Sequence, residues 1–99
     1  MITEIAIITI DPARAAEFEA AIAQAGPIIE AAEGSRSMQV ERVIETPGKY
    51  VLRVEWDRVE DHMVTFRESP AFKDWRALVG PFFVGTPQVE HSELVGKFF

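Results

Sequence analysis

The chain's two histidines set what acid–base chemistry it can run. His62 follows Asp61 on the edge of a run whose apolar members Val59, Met63 and Phe66 share one helical face. From that edge an imidazole can enter a cavity between helix and sheet, where it could hydrogen-bond a phenolic oxygen or take a proton from it. Its ordinary pKa near neutrality suits either task. The plainer reading is a ring that bonds a backbone carbonyl or sits half in solvent. His91, between Glu90 and Ser92, reads as a surface or dimer-contact residue. The aromatic residues Trp56, Phe66, Phe72, Trp75, Phe82 and Phe83 cluster in the second half. They suffice to line an apolar pocket for a planar ligand, or to pack as core. Phe66 and Trp75 lie nearest the inner edges of their helical faces and are expected to reach such a cavity, with a partner needed for the Trp75 N–H. Arg76, beside Trp75, is placed to hold an anionic or enolate oxygen, or else belongs to a solvated helix face. The candidate set is therefore His62 as the catalytic group and Trp56, Phe66, Phe72, Trp75 and Arg76 as substrate-binding residues.

Other chemistries lack their parts. There is no cysteine, hence no disulfide, thiolate ligand or thiol nucleophile. The two histidines have no HxxxH spacing, and Glu60, Asp61, Glu90 and Glu93 read as solvated faces, so no metal site is expected. The glycines are scattered without a phosphate-cradling pattern, and Ser35, Ser37, Ser69 and Ser92 lack the nucleophile-elbow setting, so no cofactor is implied. Ten basic against sixteen acidic residues give a net charge of −6 with no basic patch, the wrong sign for nucleic acid or anionic lipid. No apolar run is long enough to cross a membrane, and the segment around Glu4 does not read as a signal peptide. A cytoplasmic location is expected.

These side chains must be positioned by a small fold. Ninety-nine residues, 47% hydrophobic and 26% charged, read as one globular domain over 1–99. Ile2 to Ile10 is too densely apolar and β-branched for a one-sided helix and reads as a strand buried on both faces. Asp11-Pro12 starts a helix whose stripe of Ala15, Phe18, Ala21, Ile22 and Ala25 ends at Gly26-Pro27, with a short turn at Ile28-Ile29. Met38 to Glu45 and Tyr50 to Asp57 alternate around Thr46-Pro47-Gly48-Lys49 as a hairpin. Asp57 is placed to cap the helical region around His62, which Ser69-Pro70 restarts and Gly80-Pro81 ends. A last strand spans Gln88 to Val95.

The order β-α-β-β-α-β predicts a ferredoxin-like α+β fold, a four-stranded antiparallel sheet with both helices on one face. The other face would carry Ile5, Ile7, Val43 and Val51 among Arg53 and Glu55, with a charge pair between strands or subunits. That is more apolar surface than a small monomer usually shows to water. A second copy packed face to face would cover it, so a homodimer is expected.

Gly34, the Met38-Gln39-Val40-Glu41-Arg42 strand, Thr46-Pro47-Gly48, the Tyr50-Val51-Leu52-Arg53-Val54-Glu55-Trp56 strand, Asp61-His62 and Ser69-Pro70-Ala71-Phe72 resemble the antibiotic-biosynthesis-monooxygenase-like family. The resemblance spans nearly the whole chain. It implies a dimeric α/β barrel with a cavity between helices and sheet in each subunit. Some members of that family oxidise aromatic polyketides with O₂ and neither metal nor flavin, and others degrade haem. Here the spacing from His62 to Phe72 is about one helical turn longer than usual. Residues 72–79 also lack the histidine that haem-degrading relatives use as axial ligand, which weighs against haem. The resemblance thus implies a cofactor-independent monooxygenase acting on a small aromatic or polyketide-like substrate with O₂. The competing reading is a non-catalytic dimer that binds small molecules or serves structure, since fold alone does not choose between them.

Overall fold

The computed structural model describes all of residues 1–99. Four strands, β1 (Ile2–Thr9), β2 (Ser35–Arg42), β3 (Lys49–Trp56) and β4 (Gln88–Ser92), form one antiparallel sheet in the order β2-β3-β1-β4. Helices α1 (Ala15–Glu30) and α2 (Pro70–Val79) supply the other layer, and a short π-helix, Asp61–Phe66, lies between β3 and α2. This is the ferredoxin-like arrangement.

Alternation decides which side chains meet the helices. In register, Glu4, Ala6 and Ile8 of β1 stand opposite Val54, Leu52 and Tyr50 of β3, and all six are buried. On α1, Phe18, Ala21, Ala25 and Ile29 form the matching stripe, with Phe18 and Ala25 wholly inaccessible. Burying a side chain the size of Phe18 contributes about 2–3 kcal/mol. The opposite sheet face is uncovered. Ile5, Ile7, Val43 and Val51 are half-buried there, Arg53 pairs with Glu41 of β2 at 2.7 Å, and Glu55 accepts from the Ser37 hydroxyl.

Four boundaries differ from expectation. The helix runs through Gly26-Pro27 to Glu30 after a 3₁₀ turn at Pro12–Arg14, which Asp11 caps by accepting from the Ala13 N–H at 2.9 Å. Pro27 removes one helical hydrogen bond. Buried Ala25 and Ile29, four residues apart, hold the helix to the sheet on either side of it. Strand β2 starts at Ser35 and ends at Arg42, leaving Ile44 90% exposed in the turn. Strand β4 stops at Ser92, which lies opposite Thr3, one residue short of the end of its partner β1. Beyond it, Leu94, Val95, Phe98 and Phe99 are exposed. Asp57 does not cap the following helix; it accepts from Arg36 Nε at 2.6 Å.

The turn that aims the π-helix depends on Gly34. Its φ of +84° lies in the left-handed region, its carbonyl accepts from the Asp57 N–H at 2.8 Å, and a Cβ there would run into the Asp61 carboxylate. Asp61, buried, accepts from the Arg58 N–H at 3.1 Å and from its guanidinium at 2.9 Å. This packing fixes the chain immediately before His62. Gly34→Ala should therefore cost at least about 1–3 kcal/mol in urea denaturation, from backbone strain plus the lost fit to Asp61. By contrast Gly26 lies in mid-helix with open space where a methyl group would sit, nothing coming within 4 Å, and its replacement by Ala should gain about 0.5–1 kcal/mol.

Candidate functional site

Sheet register and the π-turn bring four polar side chains together under the helices. The N–H of Arg67 reaches back five residues to the carbonyl of His62 at 3.2 Å, the widened turn of a π-helix, a form often found at functional sites. His62 and Phe66 both turn inward from it and are buried. Glu4 lies opposite His91 in the β1–β4 pair, so both point to the helix side. There the Trp56 indole N–H donates to Glu4 Oε1 at 3.0 Å, and His62 Nε2 lies 3.3 Å from the same oxygen. The other ring nitrogen of His62, Nδ1, is 2.9 Å from His91 Nε2. Trp56 stacks on the His62 ring at 5.3 Å between centroids and 18° between planes. The result is a line, Glu4 to His62 to His91, with one hydrogen bond's length at each step. Because His62 uses both nitrogens within that line, the three groups do not converge on a point as metal ligands would.

Burial sets the protonation of this line. Only 6% of Glu4 and 6% of His62 is accessible. Loss of water pushes the Glu4 carboxyl up to about 7, opposed by the Trp56 N–H and the charge of Arg67. The same loss pushes His62 down to about 4, aided by His91 and Arg67, and burial lowers His91 as well. Both shifts favour the uncharged pair, with the proton on Glu4 and His62 neutral.

Glu4 and His62 form part of the wall of a cavity of about 320 Å³ between sheet and helices, at the lower end of the size of small-molecule sites. Ile8, Leu52 and Phe83 supply apolar wall, and Phe66, Phe72, Trp75 and Arg76 all line it. Five of the six residues picked from the sequence thus face one space. Trp56 is the exception: it is wholly inaccessible and lies behind the wall, against Glu4, His62 and Phe66, without lining the cavity itself. His91, expected at the surface or at a dimer contact, is half-buried and bonded to His62. The two other charged residues of the wall, Glu4 and Arg67, were not picked. For Glu4 a signal existed, since an acid at position 4 shares a strand face with Ala6, Ile8 and Ile10.

Four antiparallel strands roofed by two helices over an aromatic cavity define a small ferredoxin-like α+β protein. The chain belongs to the antibiotic biosynthesis monooxygenase family, whose sequence profile matches residues 1–78. It is 38% identical to the uncharacterized Bacillus subtilis protein YczJ over 93 residues, 94% of this chain and 98% of that one. Among solved structures it resembles a Bordetella bronchiseptica protein assigned to the same family, with 47% identity, a TM-score of 0.93 and coverage of 95% and 96% of the two chains. SnoaB from Streptomyces nogalater, described as a cofactor-independent oxygenase, shares the fold at a TM-score of 0.78 and 16% identity, covering 98% of this chain and 95% of that one.

The two shifted groups predict opposite pH dependences of stability. Glu4, raised from 4.5, favours folding at low pH and loses that contribution as pH rises from 4.5 to 7. His62, lowered from 6.5, contributes fully above 6.5 and loses it as pH falls toward 4. In the native chain the slopes nearly cancel between pH 4.5 and 6.5. His62→Gln should uncover a loss of about 2–3 kcal/mol as pH rises across that window, and Glu4→Gln a similar loss as pH falls, both read by urea denaturation at a series of pH values.

Proposed function

We propose that the cavity binds a small, electron-rich aromatic or polyketide-like substrate and oxidises it with O₂ without a metal or an organic cofactor. The observation that carries this reading is the buried Glu4–His62 pair on an aromatic wall, with an outward path for a proton through His91. Family membership supports it, as does the fold shared with SnoaB.

The substrate's ring would stack among Phe66, Phe72 and Trp75, with Arg76 beside it. Ionised Glu4 takes a proton from a phenolic or enolic O–H, or from an activated CH₂. With its acidity tuned to about 7, Glu4 is a stronger base than a solvated carboxylate yet still ionises near neutral pH. His62 accepts that proton on Nε2 and releases the one on Nδ1 to His91. The substrate anion then gives one electron to O₂, and the radical pair joins through a C–O bond to form a peroxide. Protonation and loss of the remaining C–H hydrogen break the O–O bond, turning CH₂ into C=O with the second oxygen leaving as water. The protein contributes proximity, exclusion of water and stabilisation of oxyanion charge. Trp56 is a positioning residue that holds the carboxyl in place.

The working unit in this reading is a homodimer joined through the uncovered sheet faces. Ile5, Ile7 and Val51 on that face and the exposed Leu94, Val95, Phe98 and Phe99 of the terminal segment supply the apolar surface for it. A cysteine-free chain with no helix long and apolar enough to cross a membrane fits a cytoplasmic setting.

Oxygen uptake should be measured against dihydroxyaromatic and anthrone-like compounds. We expect turnover that rises with pH through a midpoint near 7, as Glu4 ionises, and that falls at least about 100-fold in Glu4→Gln and His62→Ala. Variants as fast as the native protein would remove the assigned roles, and no uptake with any compound would count against the oxygenase. In sedimentation velocity the native chain should run as a dimer and Ile7→Glu as a monomer.

A further inference from the structure

The chain has seven arginines. Five are paired with a carboxylate: Arg14 with Glu17 at 3.2 Å, Arg36 with Asp57 at 2.6 Å, Arg42 with Glu19 at 2.7 Å, Arg53 with Glu41 at 2.7 Å and Arg58 with Asp61 at 2.9 Å. Arg67 and Arg76 have no such partner, and both line the cavity. Their guanidinium carbons lie 5.8 and 5.9 Å from the centre of a single ring, Phe72, and the one polar contact of the Arg67 side chain is the Met63 sulfur at 3.8 Å. In a chain with a net charge of −6, the two arginines left without a carboxylate both stand exposed at the rim of one cavity, next to the same ring, and so mark a place that lacks its anion.

Nothing inside the cavity supplies that anion. Glu4 is the only acidic residue on the wall, and it is committed to Trp56 and His62. Burial further favours its neutral form, while the charge of Arg67 is close enough to act on both Glu4 and His62. On the outer side the two arginines border a shallow groove with Glu68 and Lys73, one charge of each sign. Those two charges cancel, so the excess positive charge of Arg67 and Arg76 stands at the rim that groove and cavity share.

We infer that the molecule this cavity takes is an aromatic carboxylate, whose ring lies against Phe66 and Trp75 and whose acid group is received by Arg67 and Arg76 at the mouth. Guanidinium groups suit a planar carboxylate because their N–H donors match its two oxygens. A bulkier phosphate is disfavoured by the small, mainly apolar cavity, which has no glycine-rich backbone cradle. This assignment rests on the cavity being a substrate site and narrows the substrate to one class. Arg67 joins Arg76 as a specificity residue.

The test is binding, which is separable from turnover. The full-length protein is titrated with 2-naphthoate, methyl 2-naphthoate and naphthyl phosphate, following the Trp75 indole N–H by NMR. We expect naphthoate to bind at least about tenfold tighter than its ester, and more weakly as salt rises. Arg67→Gln and Arg76→Gln should each lose most of that preference and the double variant all of it, while Arg36→Gln, at a paired surface arginine, keeps it. Equal binding of acid and ester, binding of neither, preference for the phosphate, or a preference that survives the double variant would overturn the assignment. Naphthoate selectivity without oxygen uptake on any dihydroxyaromatic would sink the oxygenase reading and leave this one standing. Oxygen uptake with no acid preference would do the reverse.

Discussion

A carboxyl group with almost no access to water, held between an indole and an imidazole, is the constraint on which the site depends. An ionised carboxylate in such a place costs several kcal/mol unless it is compensated. Glu4 meets that cost by favouring its protonated form and by accepting from Trp56. Its neighbour His62 gives up its own charge for the same reason. The pair is therefore sensitive to where β1 stands relative to β3 and to where the π-turn places the imidazole. The strained Gly34, packed on Asp61, serves that second requirement from outside the cavity.

The fold was largely legible because each element announced itself by a period. Alternation through β2 and β3 named their buried faces, and the spacing of Phe18, Ala21 and Ala25 gave the side of α1 that meets the sheet. The errors fell where tertiary contacts override local signals. Pro27 does not end α1, since burial on both sides of it outweighs one lost hydrogen bond, and β4 ends close to the end of its partner, not where its apolar sequence does.

The site was half legible. His62, Phe66, Phe72, Trp75 and Arg76 could be chosen from residue type and helical face, and they do share one cavity. Glu4 and His91 sit 87 positions apart in sequence and are joined only by strand pairing, so their contact with His62 follows from topology and not from any motif. Trp56 looked like a ligand-stacking ring; its place at the end of β3, opposite Ile2, instead puts it behind the carboxyl it holds. The π-helix, one residue wider per turn than the pattern assumed, could not be seen from periodicity at all.

The shared proton ties these observations together, and it can be watched at its own atom. With glutamate Cδ labelled by ¹³C, the Glu4 carboxyl should titrate in the folded protein with a midpoint near 7. A Glu4 midpoint at the ordinary 4.5 would mean a carboxylate that stays charged beside His62, and it would contradict the account.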